Sequence, residues 1–333
     1  MFKKRWALSV PYEFPLPQHV AVAQEMEKLG YTDAWSYEVD GSDAFTPLAL
    51  IAGATSMRVG TAIANVYTRG PATLAQSAAS VADMAPGRFV LGIGSGSQPI
   101  VEQWNDMTFD KPATRVKEMV QFLRQAMTGE RVVFQGKTFS VDGFRLTRPA
   151  AEPVPIHVAA LREGMLKVAG QVADGVCINW LSAEDVKQSV AVVREAARVA
   201  GRDPGAIEVT ARLMVNIDPP GPEQDTAMRR HIAGYLNVPV YRDFHQWLGR
   251  GGALSGMWES WNAGDRRGAL AAIPQRTIDE LIIHGTPEER VAHARRYMDA
   301  GVDTIFMSLA TRETDPAERT KLVLQALRDH APG

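Results

Sequence analysis

Along the chain, short apolar runs alternate with stretches of helical spacing. Eight runs have the length of buried strands: WALSVPY, TDAWSYE, RVGTAI, RFVLGIG, PIHVAA, GVCINW, IEVTARLMVNI and DTIFMSL. Between them the period changes, and in ATRVKEMVQFLRQAM the residues Val116, Met119, Val120, Leu123 and Met127 fall on one helical face. Thr286-Pro287-Glu288-Glu289 reads as a capping box with proline at the first helical position, and Ser182 to Asp185 as another helix start. KLGYTDAWSY and DAGVDTIFMS share one order: helix end, glycine, turn aspartate, strand. QVADGVCINW is a looser copy.

Eight strands, each followed by a helix, predict an α/β fold of the (β/α)8 TIM-barrel type, because alternating βα units give a parallel sheet and this number closes one. The 333 residues exceed the roughly 250 typical of that fold. The surplus lies in a predicted hairpin insertion after the fourth helix, residues 131–148, and a helix-rich insertion after the seventh strand, residues 219–285. The second carries Tyr235, Tyr241, Phe244, Trp247, Trp258 and Trp261. Those aromatics suit a substrate cavity, an oligomer interface or the core of the insertion itself. No low-complexity linker interrupts the chain, so residues 1–333 read as one domain, with Gly249 to Gly252 a flexible loop inside the insertion.

Composition narrows the function. A net charge of -2 with scattered Lys and Arg leaves no basic footprint for nucleic acid. The single cysteine, Cys177, suits a reducing cytoplasm. The N-terminal apolar run is broken early by Pro11, and no segment approaches the roughly 20 apolar residues of a membrane span. The expectation is a cytoplasmic enzyme acting on a small molecule. Seven histidines without H-E-x-x-H or Cys/His pairing predict no metal site, and neither a P-loop nor a G-x-S-x-G elbow is present.

In a barrel, chemistry collects at the carboxyl ends of strands and stability at the opposite rim. That places Asp33, Asp174 and Asp303 on the stability rim, and Glu38, Asn65, Ser95, Arg162, Asn179 and Trp180 on the functional one. His157 falls inside a strand and reads as a core residue. Glu38 is the candidate proton donor or acceptor; a solvated loop carboxylate is the other reading. RFVLGIGSGSQ fails the dinucleotide fingerprint, since Ser97 stands where its third glycine belongs and Pro99 interrupts a helix. Its glycines still require a close neighbour. Gly94, Ser95 and Gly96 therefore mark where a ring system or a side chain lies against bare backbone. After the fifth strand, Ala160, Leu161, Arg162 and Glu163 lead into a helix whose free N–H groups suit a phosphate.

SYEVDGSDAF, RVGTAIANVYTRGPATLAQSAASVADMAPGRFVLGIGSGS, PVPIHVAALREGMLKVAGQVADGVCINWLS and the later IHGTPEE together resemble the luciferase-like flavin and deazaflavin oxidoreductases. Within these the chain is most similar to the coenzyme F420-dependent branch related to methylenetetrahydromethanopterin reductase. The resemblance implies a cofactor at the carboxyl rim, commonly in a homodimer, and hydride transfer between the deazaflavin C5 and a small organic substrate. It implies a bulge with a non-prolyl cis peptide around Ala64, Asn65 and Val66, placed at Asn65–Val66. It also implies that Gly94 to Gly96 border the cofactor, that Ala160 to Glu163 hold its phosphate, and that Trp180 joins the cofactor site. The sugar-phosphate dehydrogenase branch differs, with histidine at the place of Glu38 and glutamate at that of Ser97. Arg162 and Glu163 also replace the Gly-Pro-type residues frequent at the phosphate turn. The alternatives are an FMN-dependent monooxygenase on the same fold, a non-catalytic deazaflavin- or flavin-binding protein, and a metal-free hydrolase using Glu13 and Glu38.

Overall fold

The computed structural model describes residues 2–332. Eight parallel strands close into a barrel: β1 (Arg5–Ser9), β2 (Asp33–Ser36), β3 (Arg58–Thr61), β4 (Phe89–Gly94), β5 (Ile156–Ala159), β6 (Gly175–Asn179), β7 (Glu208–Asn216) and β8 (Thr304–Ala310). Each pairs with the next, and β8 returns to β1 through Arg5 opposite Thr304. The eight predicted runs coincide with these eight strands, and helices cover the outside. In helix Pro112–Ala126, Val116, Met119, Val120 and Leu123 are fully buried, as their spacing predicts. The capping box at Thr286 also forms, Glu289 N–H donating to Thr286 Oγ1 and Thr286 N–H to Glu289 Oε2.

After helix Pro112–Ala126, residues Val132–Gln135 and Ser140–Phe144 pair as an antiparallel hairpin. After β7 come five helices: Pro222–Leu236, Pro239–Trp247, Gly251–Asn262, Arg266–Ala271 and Gln275–Leu281. They enclose a second hydrophobic core around Met228, Ile232, Leu254, Met257 and Trp258, separate from that of the barrel. The expected loop at Gly249 to Gly252 is not one. One helix ends at Trp247 and the next begins at Gly251, and the short turn between them is pinned by Arg250, held by Asp185 and Glu280, both at 2.8 Å. The Asp185 contact fastens the insertion to the barrel.

The lower end of the bore is charged. Arg58 donates to both Glu208 oxygens at 2.8 and 2.9 Å and to Asp33 at 2.9 Å, while Arg5 reaches Asp33 at 2.7 Å. Asp174 accepts from Ile156 N–H, and Asp303 from Val209 N–H. All three aspartates thus serve the stability rim. His157 lies in the same core, 3.3 Å from Thr210 Oγ1; burial, outweighing the pull of Glu208, lowers its pKa to about 4.

An unfolded imidazole protonates near 6.5. Between pH 6.5 and 4 the unfolded chain therefore binds more protons than the native one, so stability is whole above 6.5 and falls as pH drops through that window. His231 and His293, also lowered to about 4 chiefly by burial, act in the same direction. Urea midpoints should hold from pH 8 to 7 and fall below 6.5. His157→Gln should remove a share of that loss on the order of 3 kcal/mol; an unchanged slope would assign the loss elsewhere.

Candidate active site

Inward positions recur every second residue along the strands. On β7 they are Glu208, Thr210 and Arg212; on β8, Thr304, Phe306 and Ser308. Glu208 and Thr304 belong to the charged floor. Above it Ala7, Trp35, Val90 and Phe306 form an apolar plug, with Trp35 and Phe306 stacked at 5.5 Å. This plug closes the bore from below and leaves the site open only toward the carboxyl rim.

The top layer is divided. On one side stand Ser9, Tyr37, Asn179, Arg212 and Ser308. Arg212 donates to Ser308 Oγ from Nε and Nη2 at 3.3 and 3.0 Å, and Ser9 Oγ lies 3.1 Å from the same hydroxyl. The guanidinium sits 4.1 Å from the centre of the Tyr37 ring. Tyr12 fixes that ring's backbone, its hydroxyl donating to Tyr37 C=O at 2.6 Å and accepting from Tyr37 N–H at 2.7 Å. On the other side, the ends of β3, β4 and β5 bring together Ile63, Gly94 and Ala159, an apolar shelf.

The glycine run explains itself here. A Cβ on Gly92 would lie 1.9 Å from the Thr61 carbonyl oxygen, one on Gly94 3.2 Å from Ile63, and one on Gly96 2.3 Å from Asn65 Nδ2. Three glycines at spacing two face three bulge residues at spacing two. The close neighbour is the protein's own chain, which leaves β3 at Thr61 and re-forms a two-residue strand at Ala64–Asn65 beside Ile93 and Gly94. The cis peptide is Ala62–Ile63, not Asn65–Val66. The continuous apolar run through Val66 conceals where β3 stops pairing. Ala64 and Val66 point into the hydrophobic core. Asn65 alone of that trio faces the glycine loop, its Oδ1 accepting from Tyr67 N–H and its Nδ2 buried without an acceptor. Ser95 is half-buried, and its hydroxyl reaches only the Gly96 carbonyl.

Glu38 follows β2 and meets Arg69, a residue that sequence reasoning missed. Arg69 Nη2 donates to Glu38 Oε1 at 2.6 Å, and Asn65 N–H to Oε2 at 3.3 Å. Both carboxylate oxygens are occupied, so Glu38 is built as a strut between the β2 loop and the bulge. Glu13 differs. Burial raises its pKa above the ordinary carboxylate value, and it lines a cavity of about 20 Å³ with Ser9, Tyr12, Tyr37 and Ser308, room for about one water. That cavity joins Glu13 to the polar side of the bore.

Around the phosphate-like turn, Ala160 is buried and its N–H is spent on the Cys177 carbonyl. Leu161, Arg162, Glu163 and Gly164 carry N–H groups with no acceptor among the described residues, and a Cβ on Gly164 would meet nothing within 4 Å. The Arg162 side chain pairs with Asp243 of the insertion at 2.9 Å, and Glu163 with Lys167. Trp180 follows β6 at the carboxyl rim. With φ of 52° it ends the strand, and its ring is buried against Tyr235 at 4.5 Å and His231 at 5.1 Å, in the cluster that joins Met214 of β7 to the insertion. It anchors the insertion.

A barrel closed below by an aromatic plug, with polar and apolar residues at its carboxyl rim, defines an enzyme-type site. The family model for luciferase-like monooxygenases matches residues 2–304, and the chain belongs to that family. It is 28% identical over 292 residues to a 5,10-methylenetetrahydromethanopterin reductase of Methanolobus tindarius, spanning 85% of this chain and 87% of that protein. It is 31% identical over 245 residues to an F420-dependent hydroxymycolic acid dehydrogenase of Mycobacterium tuberculosis, spanning 68% and 67%. The solved coenzyme F420-dependent tetrahydromethanopterin reductase of Methanopyrus kandleri has the same fold, with a TM-score of 0.78 at 22% identity over 99% of this chain and all of that one. No helix among the described residues is long and apolar enough to cross a membrane.

Proposed function

We propose that this protein is a coenzyme F420-dependent oxidoreductase that moves a hydride between the deazaflavin and a small organic substrate. The observation that carries the reading is the divided rim, an apolar shelf for a ring beside a polar arc for a reacting molecule. When bound, the deazaflavin supplies C5 as hydride donor or acceptor. Ile63, Gly94 and Ala159 would hold the ring, and the free N–H groups of Leu161 to Gly164 suit its phosphate. Glu13 takes the proton-carrying role, since burial holds its carboxyl toward the protonated form. Glu38 positions Asn65 instead. Tyr241 of the insertion borders the polar arc beside Asn179 and Arg212, with Tyr235 packed against it.

Fluorescence titration of the purified protein with oxidised F420, beside FMN, tests the cofactor. Saturable binding at micromolar concentration by F420 alone is expected; a preference for FMN would move the protein to the monooxygenase reading. Binding of neither would remove the cofactor site. A cytoplasmic homodimer completes the proposal, and light scattering tests the dimer.

A further inference from the structure

Arg212 stands apart from the other charged groups of the bore. The Arg58 guanidinium on the floor and Arg69 on the rim each face carboxylates. Arg212 has no carboxylate within 4.0 Å among the described residues, and its only acceptor is the Ser308 hydroxyl. Nη1 has no protein acceptor and is not sealed from solvent. The residue is half-buried on β7, in register with Asn179 of β6, whose side chain meets the Tyr241 hydroxyl. Burial keeps the nearby His231 neutral at pH 7, so it adds no second cation.

A half-buried guanidinium without a counter-charge is costly, and a ligand anion removes that cost. The planar fork of arginine matches a carboxylate through two parallel N–H bonds. A single cation balances one negative charge, which favours a carboxylate over a phosphate dianion. The surrounding rings of Tyr37, Tyr235 and Tyr241 suit an aryl or flat apolar body.

We propose that Arg212 is the specificity-determining residue of the substrate pocket, and that the substrate is an aryl or similarly flat apolar molecule bearing a carboxylate that Arg212 binds. This deepens the proposed oxidoreductase reading, on which it rests for the identity of the pocket.

The probes are benzoate and benzamide, equal in shape and different in charge. Their binding is followed by saturation-transfer NMR on the full-length protein, with F420 titrated separately. The wild type should bind benzoate at least tenfold more tightly than benzamide. Arg212→Met should lose that preference and Arg212→Lys keep part of it, both holding F420 affinity within about twofold. Circular dichroism melts show that the variants fold, and if Arg212→Met does not, the Arg212→Lys preference decides. Equal binding of the two probes by the wild type, or an Arg212→Met variant that keeps the preference, overturns the proposal. Loss of F420 affinity in Arg212→Met with benzoate binding intact also overturns it, by assigning the cation to the cofactor. Benzoate selectivity without F420 binding by the wild type would instead sink the cofactor reading and leave the anion site standing.

Discussion

Glu13→Gln is expected to lower kcat by about 100-fold or more while leaving the F420 dissociation constant within about twofold, the range for loss of a general acid or base. The two carboxylates at the rim have opposite settings. Glu38 is held by Arg69 and by the Asn65 N–H, a geometry suited to bearing load. Glu13 is half-buried beside a water-sized cavity that opens toward Tyr37 and Ser308. Glu38→Gln should therefore act mainly on binding, weakening F420 by about tenfold as one charge-assisted contact to the bulge is lost. Because burial raises the Glu13 pKa, activity that uses its proton is present below that pKa and lost as pH rises through it. The variant should flatten this limb of the kcat profile. The reverse pattern, kcat lost in Glu38→Gln and kept in Glu13→Gln, would restore Glu38 as proton carrier.

Gly92→Ala is expected to cost about 3 kcal/mol or more, at the upper end of overpacking effects, or to prevent folding. The new methyl would fall 1.9 Å from the Thr61 carbonyl oxygen, which is backbone and cannot rotate away. Thr61 is also tied to this spot, its hydroxyl donating to the Gly92 carbonyl at 2.7 Å. Gly164→Ala is the control: its methyl would meet nothing, and alanine is the better helix former, so stability should hold or rise by up to about 1 kcal/mol. Urea denaturation of the two variants beside the wild type gives the comparison. A Gly92→Ala protein as stable as the wild type would mean that the glycines do not serve the bulge.

Much of the barrel was legible in the chain because its strands are buried on both faces and read as short continuous apolar runs, as in FVLGIG. The stability-rim aspartates were legible for a related reason, since Asp33 and Asp303 each follow a glycine in the turn before a strand, and Asp174 adjoins one. The inward alternation of Glu208, Thr210 and Arg212 was also a usable signal for Arg212, overlooked because Val209, Ala211 and Leu213 make the whole segment look apolar. Arg69 gave no such signal. It lies 31 residues from Glu38, and only the closure of β2 and β3 onto one rim brings them together.

Sequence by itself determined the element order, the parallel closure and the end of the barrel where chemistry belongs, because hydrophobic period and turn chemistry are local properties of the chain. Tertiary structure alone decided which rim residues face the bore. It buried Trp180 against the insertion, occupied Glu38 with Arg69, gave the Gly92 to Gly96 spaces to the neighbouring bulge, and left Arg212 without a carboxylate. Each of these depends on what a distant strand places within a few ångströms, and no local pattern encodes that distance.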